Sequence, residues 1–287
     1  MRNLEFILIA DGGSSKVEWS LTDSDGHYIS SFETAGFNPL LASDNEAEKY
    51  FLKVSHKLPA GISPSRVYYY GAGCATREIC ERVAHSLHHV WQAQTIEVES
   101  DMLAACRALL GDRPGIVCIL GTGSNSALYD GSSITANIAP LGYILGDEGS
   151  GTALGKRLIS DIFKGLAPLH IIEDFNTQTG LTKGEVLEKT YRSSNPNKFL
   201  ASFVPFIHQR IGDPYISEMV SDIFQLFFSR NVLPYHPGES TPVNFIGSVA
   251  ANFAGQLSDI GADYGLTVGD IQARPMPGLI KYHNPSI

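Results

Sequence analysis

A short glycine-rich turn occurs twice in this chain, each time directly after a run of apolar residues. The first turn begins at Asp11 after residues 4–10, and the second begins at Gly121 after residues 116–120. Each turn continues into a second β-like segment and not into a helix. Because internal self-similarity constrains architecture more strongly than local propensity does, the repeat predicts a duplicated unit that contains a β hairpin.

The segment between the two turns alternates between helical and strand patterns. Residues 45–58 and 76–91 have helical periodicity, while residues 66–70 and 94–98 are typical of strands. Strands that alternate with helices predict a sheet with parallel strands and covered faces.

The later part of the chain is richer in helix. Residues 151 to about 233 are dominated by helical patterns, and a strand at 242–246 precedes a helix that begins at Val249. Turn and breaker residues at 110–115 mark a boundary. We therefore expect an N-terminal lobe at 1–112 and a larger C-terminal lobe at 113–274, with a C-terminal helix at about 275–287 that packs back on the first lobe.

Composition excludes several classes of protein. The formal charge of −9 argues against nucleic acid and anionic membrane surfaces as partners, since both require clustered Lys and Arg. No stretch approaches the roughly 20 apolar residues of a membrane span. The four cysteines show no CxxC pair and no zinc-type spacing. We expect a cytoplasmic protein with reduced thiols.

Both glycine turns have the chemistry of a polyphosphate site. Backbone N–H groups bind phosphate where glycine allows close approach and a small hydroxyl adds a donor. Either turn alone also suits a tight hairpin, but two turns at matching positions favour phosphate binding. Neither turn has the Gly-Lys-Ser/Thr of a P-loop or the following helix of a dinucleotide fingerprint. The candidate phosphate ligands are Gly12, Gly13, Ser14, Ser15 and Lys16 in the first turn, and Gly121, Thr122 and Gly123 in the second.

Four segments, 11–16, 121–125, 146–150 and 247–248, follow one another in an order that resembles the BadF/BadG/BcrA/BcrD ATPase family, which includes N-acetylglucosamine kinases. The resemblance covers nearly the whole chain. It implies a two-lobed α/β fold of the actin-like ATPase type, with ribonuclease H-like duplicated domains and an interlobe cleft for nucleotide and sugar. It also implies ATP-dependent phosphorylation of an amino sugar, N-acetylglucosamine or N-acetylmuramic acid.

The resemblance implies roles for the nucleotide-binding residues. The two glycine turns would hold the phosphates of ATP, and Asp11 would position Mg²⁺ through water, although an aspartate here also suits a plain turn. Gly247 and Ser248 would lie near adenosine. Without the resemblance, they would be interpreted as a strand–helix junction.

A sugar kinase also needs a carboxylate near the acceptor hydroxyl, to take or orient its proton. Asp101 follows a predicted strand and precedes a predicted helix, which is where the sugar-kinase relatives keep their catalytic aspartate. A helix N-cap is an equally natural role for an aspartate at this position.

Four residues are candidates for sugar binding. By resemblance, Asp147 matches the sugar-contacting aspartate of the N-acetylglucosamine kinases, and a carboxylate suits a vicinal diol. Glu148 is adjacent to it, and these two acids alternatively cap the helix that follows. Asn38 and Asn125 offer amides to a hydroxyl or an N-acetyl group, while ordinary turn chemistry is the alternative for Asn38.

Two other functions stay open at this point. The same family contains activators of 2-hydroxyacyl-CoA dehydratases, whose iron–sulfur cluster needs cysteines in the second lobe, and this chain has no cysteine after Cys118. That favours the kinase branch. An ATPase that drives a partner protein and a non-catalytic sugar sensor are the alternatives. The expected partner is a small-molecule sugar, and a homodimer is expected from similar sugar kinases.

Overall fold

The structure is a computed structural model and describes residues 5–13, 16–238 and 241–284. The chain forms two compact units, Met1–Asp112 together with Pro275–Ile287, and Arg113–Arg274. We call these unit 1 and unit 2. Over the described ranges, none of the helices has the length and apolar character that a membrane crossing requires.

Unit 1 contains one five-stranded sheet in the order β3-β2-β1-β4-β5. Strands β1, β2 and β3 form an antiparallel meander, and β4 and β5 join the other side of β1 as parallel strands. Its elements are β1 (Phe6–Gly12), β2 (Lys16–Asp23), β3 (Tyr28–Ala35), α1 (Asp44–Ser55), β4 (Arg66–Gly71), α2 (Arg77–Trp91), β5 (Thr95–Ser100), α3 (Asp101–Leu110) and α13 (Met276–His283).

Unit 2 contains a second five-stranded sheet in the order β10-β9-β6-β7-β8. Its elements are β6 (Gly115–Leu120), β7 (Ser124–Tyr129), β8 (Ile134–Ile138), α4 (Gly142–Leu145), α5 (Gly151–Phe163), α6 (Leu169–Thr179), α7 (Lys183–Tyr191), α8 (Pro196–Ala201), α9 (Val204–Gln209), α10 (Pro214–Phe227), a π-helical turn (Phe228–Val232), a 3₁₀ turn (Leu233–Tyr235), β9 (Val243–Ile246), α11 (Ser248–Asn252), α12 (Ala254–Asp263) and β10 (Val268–Gln272).

The two sheets have the same topology. In each, the first three strands are an antiparallel meander, and the last two lie parallel to the first strand on its other side. Strand β1 therefore corresponds to β6, and β4 and β5 correspond to β9 and β10. The α/β fold with two related units, predicted from the repeated glycine turn, is confirmed.

Both faces of the unit 1 sheet are covered. Successive side chains of a strand point to opposite faces, so Leu8 and Ala10 pack with an aromatic cluster that includes Trp19, whereas Ile7 and Ile9 pack against α3 and α13. A strand buried on both sides must be apolar throughout. This explains the unbroken apolar run of β1.

The C-terminal helix α13 is attached to unit 1 by polar as well as apolar contacts. The His283 ring stacks on Tyr68 with centroids 3.6 Å apart, and Tyr70 Oη lies 2.8 Å from His283 Nε2. Arg107 donates to Tyr70 Oη at 2.7 Å and forms an ion pair with Glu97. Burial, together with the nearby positive charge of Arg107, lowers the pKa of His283 to about 3, so the imidazole is neutral at physiological pH.

The core of unit 2 lies between β6 and β9 and the helices that cover them. Ile116, Cys118 and Leu120 on β6 pack with Phe245 on β9 and with apolar residues of α5, α10 and α12. Phe224, Phe227 and Phe228 are fully buried near the end of α10. This packing fixes the position of the π-helical turn.

The strands and helices predicted in the first part of the chain are confirmed, with boundaries shifted by a few residues. Two edge strands were not predicted, β8 and β10. Both are mostly exposed or half-buried, so their sequences lack the strong apolar signal of a core strand.

Gly278 allows α13 to pack directly on the backbone of α3, because a Cβ atom placed there would lie 2.2 Å from the carbonyl oxygen of Ala108. We expect Gly278→Ala to lower the free energy of unfolding by about 1–3 kcal/mol, the cost of overpacking, even though alanine favours helix by about 1 kcal/mol. The matched control is Gly255→Ala in α12, where a Cβ atom meets no atom within 4 Å. Denaturant unfolding measures both variants; equal stability would contradict the close packing.

Candidate functional site

The parallel strands of unit 1 end in one row at the same edge of the sheet. In the strand register, Gly12 pairs with Gly71, and Gly71 pairs with Ser100. The amide of Ala72 donates to the Gly12 carbonyl at 2.7 Å. Ligands of open α/β sheets bind outside the carboxyl ends of the strands. Asp11, within β1, and Asp101, directly after β5, both belong to this edge.

Gly12 is one of two closely packed glycines at this edge. A Cβ atom there would lie 2.9 Å from both Tyr69 Oη and the Tyr70 carbonyl oxygen, so a side chain would displace backbone. Tyr69 is fully buried, and its hydroxyl has no hydrogen-bond partner in the described structure. The glycine therefore lets the end of β1 approach the Tyr69 hydroxyl and the backbone of β4 closely.

Asp11 and Asp101 are two acidic groups in a poorly solvated place. Burial, followed by the charges of Asp101 and Glu18, raises the pKa of Asp11 to about 7, against a smaller opposite effect of Lys16. Burial also raises the pKa of Asp101, while the amides of Met102 and Asp101 lower it. Two like charges that repel one another in a buried site favour protonation or a bound cation.

Asp101 is not the N-cap residue of helix α3. The N-cap is Ser100, whose hydroxyl accepts from the Leu103 amide at 3.2 Å, and Asp101 is the first residue of the helix. The alternative interpretation of Asp101 as an N-cap is therefore wrong. Its carboxylate stands at the positive end of the helix dipole.

The other predicted residues of unit 1 lie close to the same edge. The Gly13 amide donates to the Lys16 carbonyl at 2.9 Å and closes the turn, and Lys16 Nζ forms an ion pair with Glu33. Ser14 and Ser15 lie outside the described residues. Asn38 Oδ1 accepts from the Leu40 amide at 3.0 Å and lies 3.4 Å from where a Cβ of Gly73 would be. Their ligand roles stay predictions.

The glycine turn of unit 2 is tied to the start of α5. The Gly121 amide donates to the Gly123 carbonyl at 3.0 Å, and the Gly151 amide donates to the Gly121 carbonyl at 2.8 Å. Thr152 binds the Thr122 carbonyl through its amide at 3.1 Å and through its hydroxyl at 2.6 Å. These bonds fix the turn at the carboxyl end of β6.

Gly247 stands beside this turn, at the carboxyl end of β9. Its φ of 121° lies in the region that favours glycine, and a Cβ there would lie 2.2 Å from the Leu120 carbonyl oxygen. Its amide donates to the Gln272 carbonyl oxygen at 2.9 Å. Helix α11 begins at Ser248. The structure thus brings 247–248 next to the end of β6, as a site shared by these segments requires.

Asp147 lines a small cavity of about 150 Å³ with Ser124, Arg230 and Asn231 among its walls. The Ser124 amide donates to Asp147 Oδ1 at 3.1 Å, and both carboxylate oxygens lie 3.1 Å from where a Cβ of Gly123 would be. Burial, followed by the charge of Glu148, raises the pKa of Asp147. The Ser124 amide and the close approach of Gly123 therefore orient the Asp147 carboxylate.

Neither acid of this loop caps α5. The N-cap is Ser150, which accepts from the Ala153 amide at 3.1 Å. Glu148 instead forms an ion pair with Arg230 and a hydrogen bond with Asn231. The helix-capping alternative for Asp147 and Glu148 is wrong, and their sugar-binding roles stay predictions.

Asn125 lies on β7, where its side-chain oxygen accepts from the Ser126 amide and from Asn137 Nδ2, both at 2.9 Å. Its own amide nitrogen is the group that a ligand would use. This role also stays a prediction.

Several residues of these edges were missed by the sequence analysis. Gly71 and Gly73 follow a predicted strand, and this third glycine-rich segment was a readable signal. Ser124 contributes through its backbone amide, and Arg230 and Asn231 lie in a long helical region. No local pattern distinguishes Arg230 and Asn231 from their neighbours, whereas Ser124 lies within the 121–125 segment that the sequence analysis identifies.

The chain was compared with protein families, curated proteins and solved structures. The sequence matches no protein-family model and no curated protein. A candidate N-acetylglucosamine kinase from Porphyromonas gingivalis is 42% identical, covers 97% of this chain and 99% of its own, and superimposes with a TM-score of 0.91. A candidate N-acetylglucosamine kinase from Chromobacterium violaceum is 18% identical, with 98% and 99% coverage and a TM-score of 0.75.

A more distant neighbour is a ROK family glucokinase from Streptomyces griseus, solved in complex with glucose and AMPPNP. It is 14% identical, covers 99% of each chain and has a TM-score of 0.61, a likeness that concerns the fold alone. Two units of identical topology, each with a glycine turn at the carboxyl edge of its sheet, define the actin-like fold of sugar kinases. The chain belongs to the N-acetylglucosamine kinase-like branch of the BadF/BadG/BcrA/BcrD ATPase family, and the resemblance deduced from its motifs is confirmed.

The coupling between the two acids of unit 1 is directly measurable. In a carboxyl ¹³C NMR titration of the metal-free protein, we expect Asp11 to titrate near the pKa of about 7 that its surroundings give it. In Asp101→Asn the midpoint should fall, because a nearby negative charge is lost. Asp130, whose pKa of about 2 results from the amides of Ser133 and Ser132, is the internal reference. An unchanged Asp11 midpoint in the variant would contradict the coupling.

Proposed function

We propose that this protein is an ATP-dependent kinase that transfers the γ-phosphoryl group of ATP to a hydroxyl of an amino sugar, N-acetylglucosamine or N-acetylmuramic acid. The observation that carries the proposal is the pair Asp11 and Asp101 at the carboxyl edge of the unit 1 sheet, beside a glycine turn. The close relative named above, a candidate N-acetylglucosamine kinase, supports the same activity.

Asp101 is the proposed general base. A base is most effective when its pKa lies near the working pH, and burial raises the pKa of this carboxyl. The sugar oxygen forms a bond to the γ-phosphorus while the bond from that phosphorus to the bridging oxygen of ADP breaks. The hydroxyl proton passes to Asp101. Ser100, and not Asp101, is the N-cap residue of α3, and the amides of Met102 and Asp101 hold the Asp101 carboxylate at the start of the helix.

Asp11 suits a Mg²⁺ ion held through water. Carboxylate oxygen is a hard ligand that Mg²⁺ prefers, and Mg²⁺ usually retains several waters. Burial, followed by the charges of Asp101 and Glu18, raises the pKa of Asp11, and a cation beside these carboxylates would offset their charge, so the residues present fit the ion. When bound, Mg²⁺ neutralises charge on the phosphates of ATP.

In this proposal, the two glycine turns bind the phosphates of ATP. In unit 2, the Gly121–Gly123 turn is held by the start of α5, so its backbone is fixed before a ligand arrives, which lowers the ordering cost of binding. Gly247 and Ser248 lie beside that turn and are the proposed adenosine-binding residues. Asp147 is the proposed acceptor of sugar hydroxyls, with Glu148, Asn38 and Asn125 as further sugar ligands.

The test is Mg²⁺·ATP consumption by the purified protein, with and without N-acetylglucosamine, N-acetylmuramic acid, glucosamine and glucose. We expect ADP formation only when an amino sugar is present, together with a sugar phosphate identified by mass spectrometry. ATP hydrolysis at the same rate with and without sugar would indicate an ATPase that drives a partner protein. Sugar binding without ADP formation would indicate a sensor.

The general base is tested by Asp101→Asn. We expect turnover to fall on the order of 10²–10⁴-fold, the usual contribution of a general base, while nucleotide and sugar affinities stay nearly unchanged. Asp44→Asn is a matched control, because Asp44 is also the first residue of a helix after a serine N-cap, and its side chain is 68% exposed. Turnover of the Asp101 variant equal to that of the control would remove Asp101 from this role.

A further inference from the structure

A π-helical turn follows α10 and contacts the loop that bears Asp147. Arg230 Nε lies 3.0 Å from Glu148 Oε1, and Asn231 Nδ2 lies 3.4 Å from Glu148 Oε2. Both carboxylate oxygens of Glu148 are thereby engaged, and its side chain is only 14% exposed. Two consecutive residues of one helical turn bind one side chain of the loop.

The loop that they hold has an unusual backbone. Asp147 has φ 59° and Gly149 has φ 75°, so two of three successive residues lie in the left-handed region. A residue other than glycine adopts this region at a cost, and such conformations persist only when the surroundings determine them. Phe227, just before the π-helical turn, lies against Gly149, where a Cβ would be 2.8 Å from the Phe227 Cβ.

Arg230 and Asn231, which contact Glu148, both belong to the π-helical turn. Such turns are rare and occur frequently at functional sites. Here Phe227 is fully buried in the core of unit 2, which fixes the start of the turn. Arg230 and Asn231 then reach Glu148 from a rigid base, and Arg230 also lines the cavity of Asp147.

We propose that Arg230 is a positioning residue for sugar binding, which acts through Glu148 to hold the 146–149 loop and the carboxylate of Asp147 in their binding geometry. This inference rests on the proposed function, in which Asp147 accepts hydrogen bonds from the sugar. Arg230 need not contact the substrate itself.

Arg230 also has an electrostatic role in this arrangement. The charge of Glu148 raises the pKa of Asp147 and that of Lys156 on α5 lowers it, and Arg230 lines the same cavity. The guanidinium of Arg230 balances the charge of Glu148. Without it, the negative charge of Glu148 acts on Asp147 uncompensated, so that Asp147 would take up a proton at a higher pH than in the wild type.

The experiment measures steady-state kinetics of Arg230→Met and Arg230→Lys with the amino sugar that the wild type phosphorylates. For Arg230→Met we expect the KM for sugar to rise on the order of 10- to 100-fold, the cost of a misplaced binding group, with the KM for ATP unchanged. The acidic limb of sugar binding, measured as Kd against pH without nucleotide, should move to higher pH. Arg230→Lys keeps the charge and should restore the acidic limb while recovering only part of the KM.

Arg210→Met is the matched control. Arg210 Nε lies 3.0 Å from Asp174 Oδ2, the same distance as in the Arg230 pair, and this ion pair joins the end of α9 to α6 away from the loop. We expect its KM values and its pH dependence to equal those of the wild type.

The outcomes separate the two proposals. If the wild type phosphorylates no amino sugar, the proposed function fails. If the wild type is active and Arg230→Met keeps the wild-type KM and acidic limb, the positioning role is wrong while the function stands. A parallel loss of affinity for ATP and sugar in both Arg230 variants, with a lower melting temperature, would also overturn it, because a purely structural ion pair would act in that way.

Discussion

In each unit, the candidate site residues depend on close backbone packing at the carboxyl edge of the sheet. A Cβ at Gly12 would lie 2.9 Å from the Tyr70 carbonyl oxygen, and a Cβ at Gly247 would lie 2.2 Å from that of Leu120. Interiors packed at this density do not yield to an extra methyl group without a backbone shift. The absence of these side chains lets the end of β1 lie directly on β4, and lets the 247–248 junction lie directly on the end of β6.

The acidic pair of unit 1 costs stability in the unliganded protein. The folded pKa of Asp11, about 7, lies above its ordinary value of 3.8. Between these values the folded chain binds more protons than the unfolded chain, so the contribution of Asp11 to stability falls as pH rises through this window. Strained or poorly solvated groups of this kind cluster at functional sites. Such a cost is consistent with a site that is completed by a cation.

The sequence predicted those parts of the site that depend on short segments. The second glycine turn, the described residues of the first turn, Asp101 after a strand and the 247–248 junction lie where the pattern indicated. Each is defined by the end of a core strand with a strong apolar signal. Arg230 and Asn231 could not be found in this way. Their contacts with Glu148 arise from a π-helical turn inside a long helical region, and no local rule distinguishes an arginine that binds a distant glutamate from a solvated one.

The sequence by itself determined the duplication, the α/β class and the order of the glycine turns, because periodicity and glycine placement are local properties that the backbone must obey. Only the tertiary structure decided which groups meet. The strand register aligns Gly12, Gly71 and Ser100. The buried Phe227 fixes the start of the π-helical turn, which contacts Glu148 through Arg230 and Asn231. Contacts between residues far apart in the chain depend on how buried side chains fit together, and that fit is a property of the whole unit.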